Sequence, residues 1–285
     1  MIEIVNTVDA VRQQVRLWRK EGATIGFVPT MGALHAGHCS LIEASAKACD
    51  YSVVSIYVNP TQFAPHEDFK QYPKTLDADA IACDVAGADL IFAPSDNEMY
   101  GQMQQTYVAV TDLSTHLCGA SRPYFFGGVC TVVVKLLNIV LPDVVYFGQK
   151  DAQQLAVIKR MVYDLNMAVT IEGCPIVREA DGLAMSSRNQ YLTDTERAEA
   201  LCLYRSLNVL QKMIDAGVRE IEDLRRMMTE EIARSPSSEI DYISFVDNKL
   251  LQPVGHLGQE TLVALAVNIG QTRLIDNIVL DPYCK

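Results

Sequence analysis

Thr30-Met31-Gly32-Ala33-Leu34-His35-Ala36-Gly37-His38 follows directly on the apolar run Ile25-Gly26-Phe27-Val28-Pro29. The order reads as a buried strand, a glycine-bearing turn, and two histidines three residues apart where a helix begins. A helix N-terminus carries unpaired N–H groups and partial positive charge, which suits a phosphate. Residues at i and i+3 share a helix face, so His35 and His38 are expected to point together toward that phosphate. Gly32 and Gly37 remove the Cβ that would hold a nucleotide away from the backbone.

Outward from this turn, short Val/Ile-rich runs at 24–29, 52–58, 88–93 and 144–148 are bounded by turn residues, as buried parallel strands are. Helical stretches at 38–49 and 77–86 alternate with them. Alternation of this kind predicts an α/β fold: an open, Rossmann-like parallel sheet whose ligands bind at the carboxyl ends of the strands. The histidine turn, Asn59-Pro60-Thr61-Gln62 and Gln149-Lys150-Asp151 each follow such a strand end. Near Cys174-Pro175-Ile176-Val177 the character changes. Residues 194–215 read as one long amphipathic helix, with Leu203, Leu207, Leu210 and Ile214 on one stripe, and a second helix spans 219–234. Strand-like runs follow at 239–246, 261–267 and 272–280. The expected organisation is a Rossmann-like domain over 1–176 and a smaller α+β C-terminal domain over 177–285.

The chain has 285 residues, 49% hydrophobic and 21% charged, enough for a large and a small domain with a buried core. Its net charge of −11 opposes binding to nucleic acid, so no nucleic-acid partner is expected. Anionic substrates must then be held by local positive groups. The eight cysteines include no C-x-x-C pair and read as reduced thiols; neither a disulfide framework nor a zinc site is expected. Lys135 interrupts the most hydrophobic stretch, 129–141, and no membrane partner is expected. No signal-peptide pattern opens the sequence, and the expected location is the cytoplasm. Trp18 reads as packing beside Val11 and Val15, His116 and His256 as structural or exposed, and Arg225-Arg226 as a solvated helix face.

Four further segments join the histidine turn. They are Tyr57-Val58-Asn59-Pro60-Thr61-Gln62-Phe63 running on to Tyr72-Pro73; Ser121-Arg122-Pro123 through Gly128-Val129-Cys130-Thr131-Val132-Val133; Phe147-Gly148-Gln149-Lys150-Asp151-Ala152-Gln153-Gln154-Leu155; and Val177-Arg178-Glu179-Ala180-Asp181-Gly182-Leu183-Ala184-Met185-Ser186-Ser187-Arg188-Asn189. The histidine turn resembles the His-x-Gly-His signature of the adenylyl-transferring superfamily. In order and spacing the whole set closely resembles the pantothenate synthetase (pantoate–β-alanine ligase) family. The resemblance implies an ATP-dependent condensation of pantoate with β-alanine through an enzyme-bound pantoyl-adenylate, with Mg²⁺ accompanying ATP and a homodimeric assembly. It implies ATP contacts from Met31, Gly32, Ala33, Leu34, His35, Ala36, Gly37 and His38, from Gly148, Gln149, Lys150 and Asp151, from Val177, and from Met185, Ser186, Ser187 and Arg188. It implies pantoate contacts from Gln62 and Gln154, with Gln62 reaching β-alanine, and His38 as proton donor. No protein ligand for Mg²⁺ is assigned.

The residue chemistry agrees. Adenylation of a carboxylate needs charge stabilised on the α-phosphate and the departing pyrophosphate. His35, His38, Lys150 and Arg188 offer cationic or hydrogen-bonding groups, and Ser186 and Ser187 offer hydroxyls. Pro29, Val129, Val132 and Val133 suit a wall for pantoate's methyl groups, with Asn59 assigned to the same substrate pocket. A nucleotidyltransferase acting on a phosphorylated acceptor is the rival enzyme reading; the glutamine pair and the valine wall favour a neutral, branched hydroxy acid. Residues 60–72, with a charged middle of His66, Glu67 and Asp68, are expected to form a lid over the adenylate. Three positions depart from the family pattern: Phe125 replaces a histidine, Gly127 a residue more often polar or small, and Gln149 a glutamate. The last is expected to remove a negative charge beside the phosphates.

Overall fold

The computed structural model describes residues 2–64, 68–102 and 104–281. His66, Glu67 and Cys284 lie outside the described residues, as does the side chain of Asp68. Strands β1 (Glu3–Val5), β2 (Ile25–Thr30), β3 (Tyr51–Ile56), β4 (Leu90–Phe92), β5 (Val144–Gly148) and β6 (Thr170–Cys174) pair in parallel, in the order β1-β4-β3-β2-β5-β6. From β2 the chain builds outward through β3 and β4 on one side, then returns to place β5 and β6 on the other. The order therefore reverses between β2 and β5, the place where open α/β sheets leave a crevice at their carboxyl ends. The strands expected from apolar runs are β2 to β5. The edge strands β1 and β6 were not legible: β1 is three residues long, and Thr170, Glu172 and Gly173 make β6 too polar to read as buried.

Strand alternation sends side chains to two cores. Ile25 and Phe27 of β2 face one side with Val145 and Phe147 of β5; Val28 and Tyr146 face the other. The first face is covered by α1 (Val8–Lys20), the second by α2 (Ala36–Ala48) and α3 (Leu76–Ala86). Short helices α4 (Asp96–Tyr100) and α5 (Cys118–Ser121) lie in connections, and α6 (Phe125–Val140) and α7 (Ala152–Asp164) complete the first face. Trp18 of α1 packs as expected, with Val11 and Val15 buried beside it and its ring stacked on Tyr51 at 4.3 Å.

Beyond β6 the expected helix over 194–215 is broken into α8 (Asp194–Glu199) and α9 (Cys202–Asp215). The cause is tertiary. Ser235 Oγ donates to the Glu199 carbonyl, and the amide of Leu203, its helical partner in an unbroken helix, bonds Ala200 instead. Helix α10 (Ile221–Ile232) follows, then an antiparallel sheet of β7 (Ser238–Asp247), β8 (Thr261–Ile269) and β9 (Thr272–Leu280). One face of it packs Phe245, Val263 and Leu265 against Leu207, Leu210 and Leu224 of α9 and α10. The other places Val246, Leu262 and Ala264 in the core of the parallel sheet's first face. An antiparallel sheet commonly keeps one face in water; this one keeps neither, which is why β8 is a continuous apolar run. Arg225 is not simply solvated: its guanidinium donates to the Ile243 carbonyl and lies over the Phe245 ring at 5.5 Å.

Candidate active site

A single cavity opens at the carboxyl ends of β2 and β5 and runs under the loop 177–188 toward β7 and β9. At its β2 end, Gly32 takes a φ of +81° that glycine adopts without steric cost, and Ala33 follows at +51°. What holds Ala33 there is Asp79 of α3, 3% exposed. Its carboxylate accepts the amides of Ala33 at 3.1 Å and Leu34 at 2.8 Å, and the Thr75 hydroxyl at 3.2 Å. The turn consequently lines the cavity through Met31, His35, Gly37 and His38, while Gly32, Ala33, Leu34 and Ala36 form its support. Asp79 has no sequence signal beyond an acidic residue in a helix's first turn, where any carboxylate is favoured.

The two histidines cap their own helix. His35 Nδ1 accepts the Gly37 amide at 3.1 Å, and His38 Nδ1 accepts the His35 amide at 3.4 Å. With both Nδ1 atoms accepting, each neutral ring carries its proton on Nε2. The rings lie 4.0 Å apart between centroids. Burial, then Lys150, holds the His35 pKa down at about 4; burial, then His35 and Lys150, holds His38 at about 3. At neutral pH the pair therefore offers hydrogen-bond donors and no positive charge. This narrows the expectation that either histidine supplies a cation, and it modifies the picture of a bare helix N-terminus, since two of its amides are already capped.

The cations come from elsewhere. Gly148, Lys150 and Asp151 line the cavity at the end of β5, and Met185, Ser186, Ser187 and Arg188 line it from the crossing loop, with Val177 beside them. Ser186 Oγ accepts the Arg188 amide at 3.3 Å, which fixes the start of the short turn Ser187–Tyr191. Gln149 stays out of the cavity. Its side-chain oxygen lies 3.7 Å from where a Cβ on Gly173 would sit, against β6, so replacing a glutamate here does not change the charge lining the cavity.

Val129, Val132 and Val133 of α6 line the same cavity as Pro29, Gln62 and Gln154. Asn59 differs from its expected role. It is fully buried, its Oδ1 accepting from Tyr100, Thr61 Oγ1 and the Thr61 amide and its Nδ2 donating to the Gly128 carbonyl. It fastens the Gln62 turn to α6, and Gly128 permits that approach, since a Cβ there would lie 2.3 Å from the Thr61 carbonyl oxygen. Phe125 offers its ring to the Arg122 guanidinium at 3.9 Å, and Arg122 donates to the Gln62 carbonyl at 3.0 Å. Gly127 has no atom within 4 Å of its Cβ direction. The described part of 60–72 is held by Phe63, Phe69 and Tyr72, with Phe63 5.3 Å from Phe69 and 5.9 Å from Tyr72, and Tyr72 OH 3.4 Å from Ser187 Oγ. Phe63 and Tyr72 line the cavity, and Phe69 packs on Phe63 beside it.

A parallel α/β sheet with a cavity at its switch point, lined by a histidine-capped helix start, is an arrangement that nucleotide-binding α/β enzymes use. A family model described as pantoate-beta-alanine ligase matches residues 3–279. Pantothenate synthetase of Heliobacterium modesticaldum is 55% identical over 282 residues, covering 99% of each chain, and that of Clostridium novyi 52% identical over 275 residues, covering 96% of this chain and 97% of its own. The crystal structure of the Thermus thermophilus enzyme superposes with a TM-score of 0.93 at 40% identity, over 99% of this chain and all (100%) of that one. That of the Francisella tularensis ligase, complexed with beta-gamma ATP and beta-alanine, gives 0.81 at 33% identity over the same shares. The chain belongs to the pantoate-beta-alanine ligase family.

Proposed function

We propose that this protein condenses pantoate with β-alanine at the expense of ATP, in two steps. The observation that carries the reading is one cavity lined by two chemistries: the histidine pair, Lys150 and the Ser-Ser-Arg turn, and the two glutamines with Pro29, Val129, Val132 and Val133. In the first step a pantoate carboxylate oxygen attacks the α-phosphorus, the bond between the α- and β-phosphates breaks, and pyrophosphate leaves with the electron pair. In the second, the β-alanine amine attacks the acyl carbon, the acyl–oxygen bond breaks, AMP leaves and the amine loses a proton.

Lys150 and Arg188 take the charge that moves toward pyrophosphate, Ser186 and Ser187 donate to phosphate oxygens, and His38, with His35, donates from Nε2. Gln62 and Gln154 hold pantoate's hydroxyls, Gln62 also meeting β-alanine, while Val129, Val132, Val133 and Pro29 take the methyl groups. Tyr72 and the segment around it keep water from the adenylate. Among the described residues no three His, Cys, Asp or Glu side chains are grouped as a cage for a metal ion. Mg²⁺ would enter with ATP, held by phosphate oxygens and water, and Asp151 and Asp276 are the carboxylates that line the cavity. Residues 1–176 and 177–285 form two units that share a core where Val246, Leu262 and Ala264 meet the parallel sheet, and the protein works as a homodimer in the cytoplasm. Among the described residues no helix is long and apolar enough to cross a membrane.

The test is exchange of labelled pyrophosphate into ATP, dependent on pantoate and independent of β-alanine. Exchange that needs β-alanine overturns the two-step route, and ADP in place of AMP as the product overturns adenylation itself.

A further inference from the structure

We propose that two consecutive residues of β9, Asp276 and Asn277, set the gap between the two cationic halves of the phosphate-holding site, as positioning residues. This rests on the ATP site proposed above. Neighbouring residues on a strand point to opposite faces. Asn277 is registered with Ala264, which packs into the parallel-sheet core, and Asp276 with Leu265, which packs against α9 and α10.

On the first face, Asn277 Nδ2 donates to the carbonyls of Gln149 and Lys150, each at 2.9 Å. These belong to the turn that presents Lys150. On the second, the Asp276 carboxylate grips Arg178 through two bonds of 2.6 and 2.9 Å. Arg178 also donates to the Gly182 carbonyl at 3.0 Å, pairs as a bridge with Ala184, and covers the Tyr204 ring at 4.8 Å. It anchors the loop that ends in Met185, Ser186, Ser187 and Arg188. Asp276 Oδ1 further accepts the Asn277 amide at 2.8 Å, which ties the two anchors to one peptide.

Both side chains are nearly sealed from solvent, at 2% and 3% exposure. Asn277 spends both donors on the Lys150 turn, and its Oδ1 is left buried without a partner among the described residues. A side chain serving only to fill the interface would not need two donors directed at the carbonyls of one turn. One strand thus carries the Lys150 turn on one side and the Ser-Ser-Arg loop on the other. Cationic groups from separate parts of the chain must converge on one triphosphate, and a misplacement of about 1 Å costs on the order of 10²-fold in rate.

The experiment compares Asn277→Ala, Asn277→Ser, Asp276→Asn and the double variant N277A/D276N in pantoate-dependent pyrophosphate exchange, with thermal unfolding of each. Expected results are a rise in KM for ATP and a fall in exchange kcat of about 10²-fold for Asn277→Ala. KM for pantoate at saturating ATP is expected to rise less than KM for ATP, because the valines assigned to pantoate are carried by α6, to which neither Asp276 nor Asn277 is hydrogen-bonded. Asn277→Ser, which keeps one donor, falls between, and it serves as the reference where the alanine variant does not fold. The double variant loses less than the product of the single losses, because both substitutions loosen the same gap. Parallel rises in the KM of ATP and pantoate, or multiplicative losses, overturn the inference, as do wild-type kinetics in Asn277→Ala or Asn277→Ser. Absence of exchange in the wild-type enzyme instead overturns the proposed function, and this inference with it.

Discussion

The two ends of the polar half of the cavity are made in opposite ways. The histidine end is local: His35, Gly37 and His38 lie within four residues and cap one another's amides, and a single outside group, Asp79, braces the turn. The cationic end is assembled: Lys150 comes from the turn after β5 and Arg188 from a loop some forty residues on; β9 holds the first through the Gln149 and Lys150 carbonyls and the start of the second through Arg178. The local end carries no charge at neutral pH and contributes directional donors; the assembled end carries the positive charge. A chain of net charge −11 that must receive ATP therefore concentrates cations where folding, and not sequence proximity, brings them together.

Breaking the assembled end is expected to have the largest effect. Lys150→Ala removes a preorganised cation from the developing pyrophosphate and lowers single-turnover adenylation by about 10²–10³-fold. The pantoate concentration giving half-maximal rate stays nearly unchanged. Near-normal adenylation at saturating substrates would shift the charge stabilisation away from Lys150.

Next in size is the brace of the local end. Asp79→Ala leaves the Ala33 and Leu34 amides without an acceptor at a positive-φ turn. The expected loss is on the order of 1–3 kcal/mol of stability, with a fall in exchange kcat as the histidines lose their aim. Asp79→Asn, which keeps one acceptor oxygen, loses less. Calorimetry and exchange measured together check this, and a variant as stable and as active as wild type would show that the turn holds itself.

The pH dependence sharpens the comparison further. His35 and His38 titrate in the fold at about 4 and 3, against an ordinary value of 6.5. Between those values the unfolded chain binds more protons than the folded one, so stability rises with pH across that window and is lost as pH falls through it. Above about pH 6.5 these two groups add no further slope. The adenylation rate is accordingly expected to lack a histidine limb between about pH 5.5 and 8. A kcat that falls with an apparent pKa near 6.5, and loses that limb in His38→Asn, would mean that the ring works as a cation.

The smallest effect is expected at Gln149. Gln149→Glu adds a carboxylate against β6, so KM for ATP is expected to move by no more than about twofold. A larger rise would mean that the side chain swings into the cavity when nucleotide binds.

Much of this molecule was written in its sequence, because the forces concerned act over a few residues. Buried strands show as apolar runs, so β2, β3, β4 and β5 were legible, and β9 to the residue. The histidine turn was legible because strand, glycine and helix start follow one another directly. Where long-range contacts compete with local preference, the sequence reading fell short. The helix over 194–215 is cut because Ser235 takes the Glu199 carbonyl, and Asn59, at a strand end that reads as a ligand contact, is drained of hydrogen-bonding capacity by Tyr100, Thr61 and Gly128. Asp79, Asp276 and Asn277 have no local signature, since each acts on backbone or charge brought close only by packing. The sequence by itself determined the sheet's core strands, the histidine turn at the start of α2 and the family. Only the tertiary structure decided where positive charge gathers and what holds it, because a buried polar group's role is set by partners that the chain's own order does not place beside it.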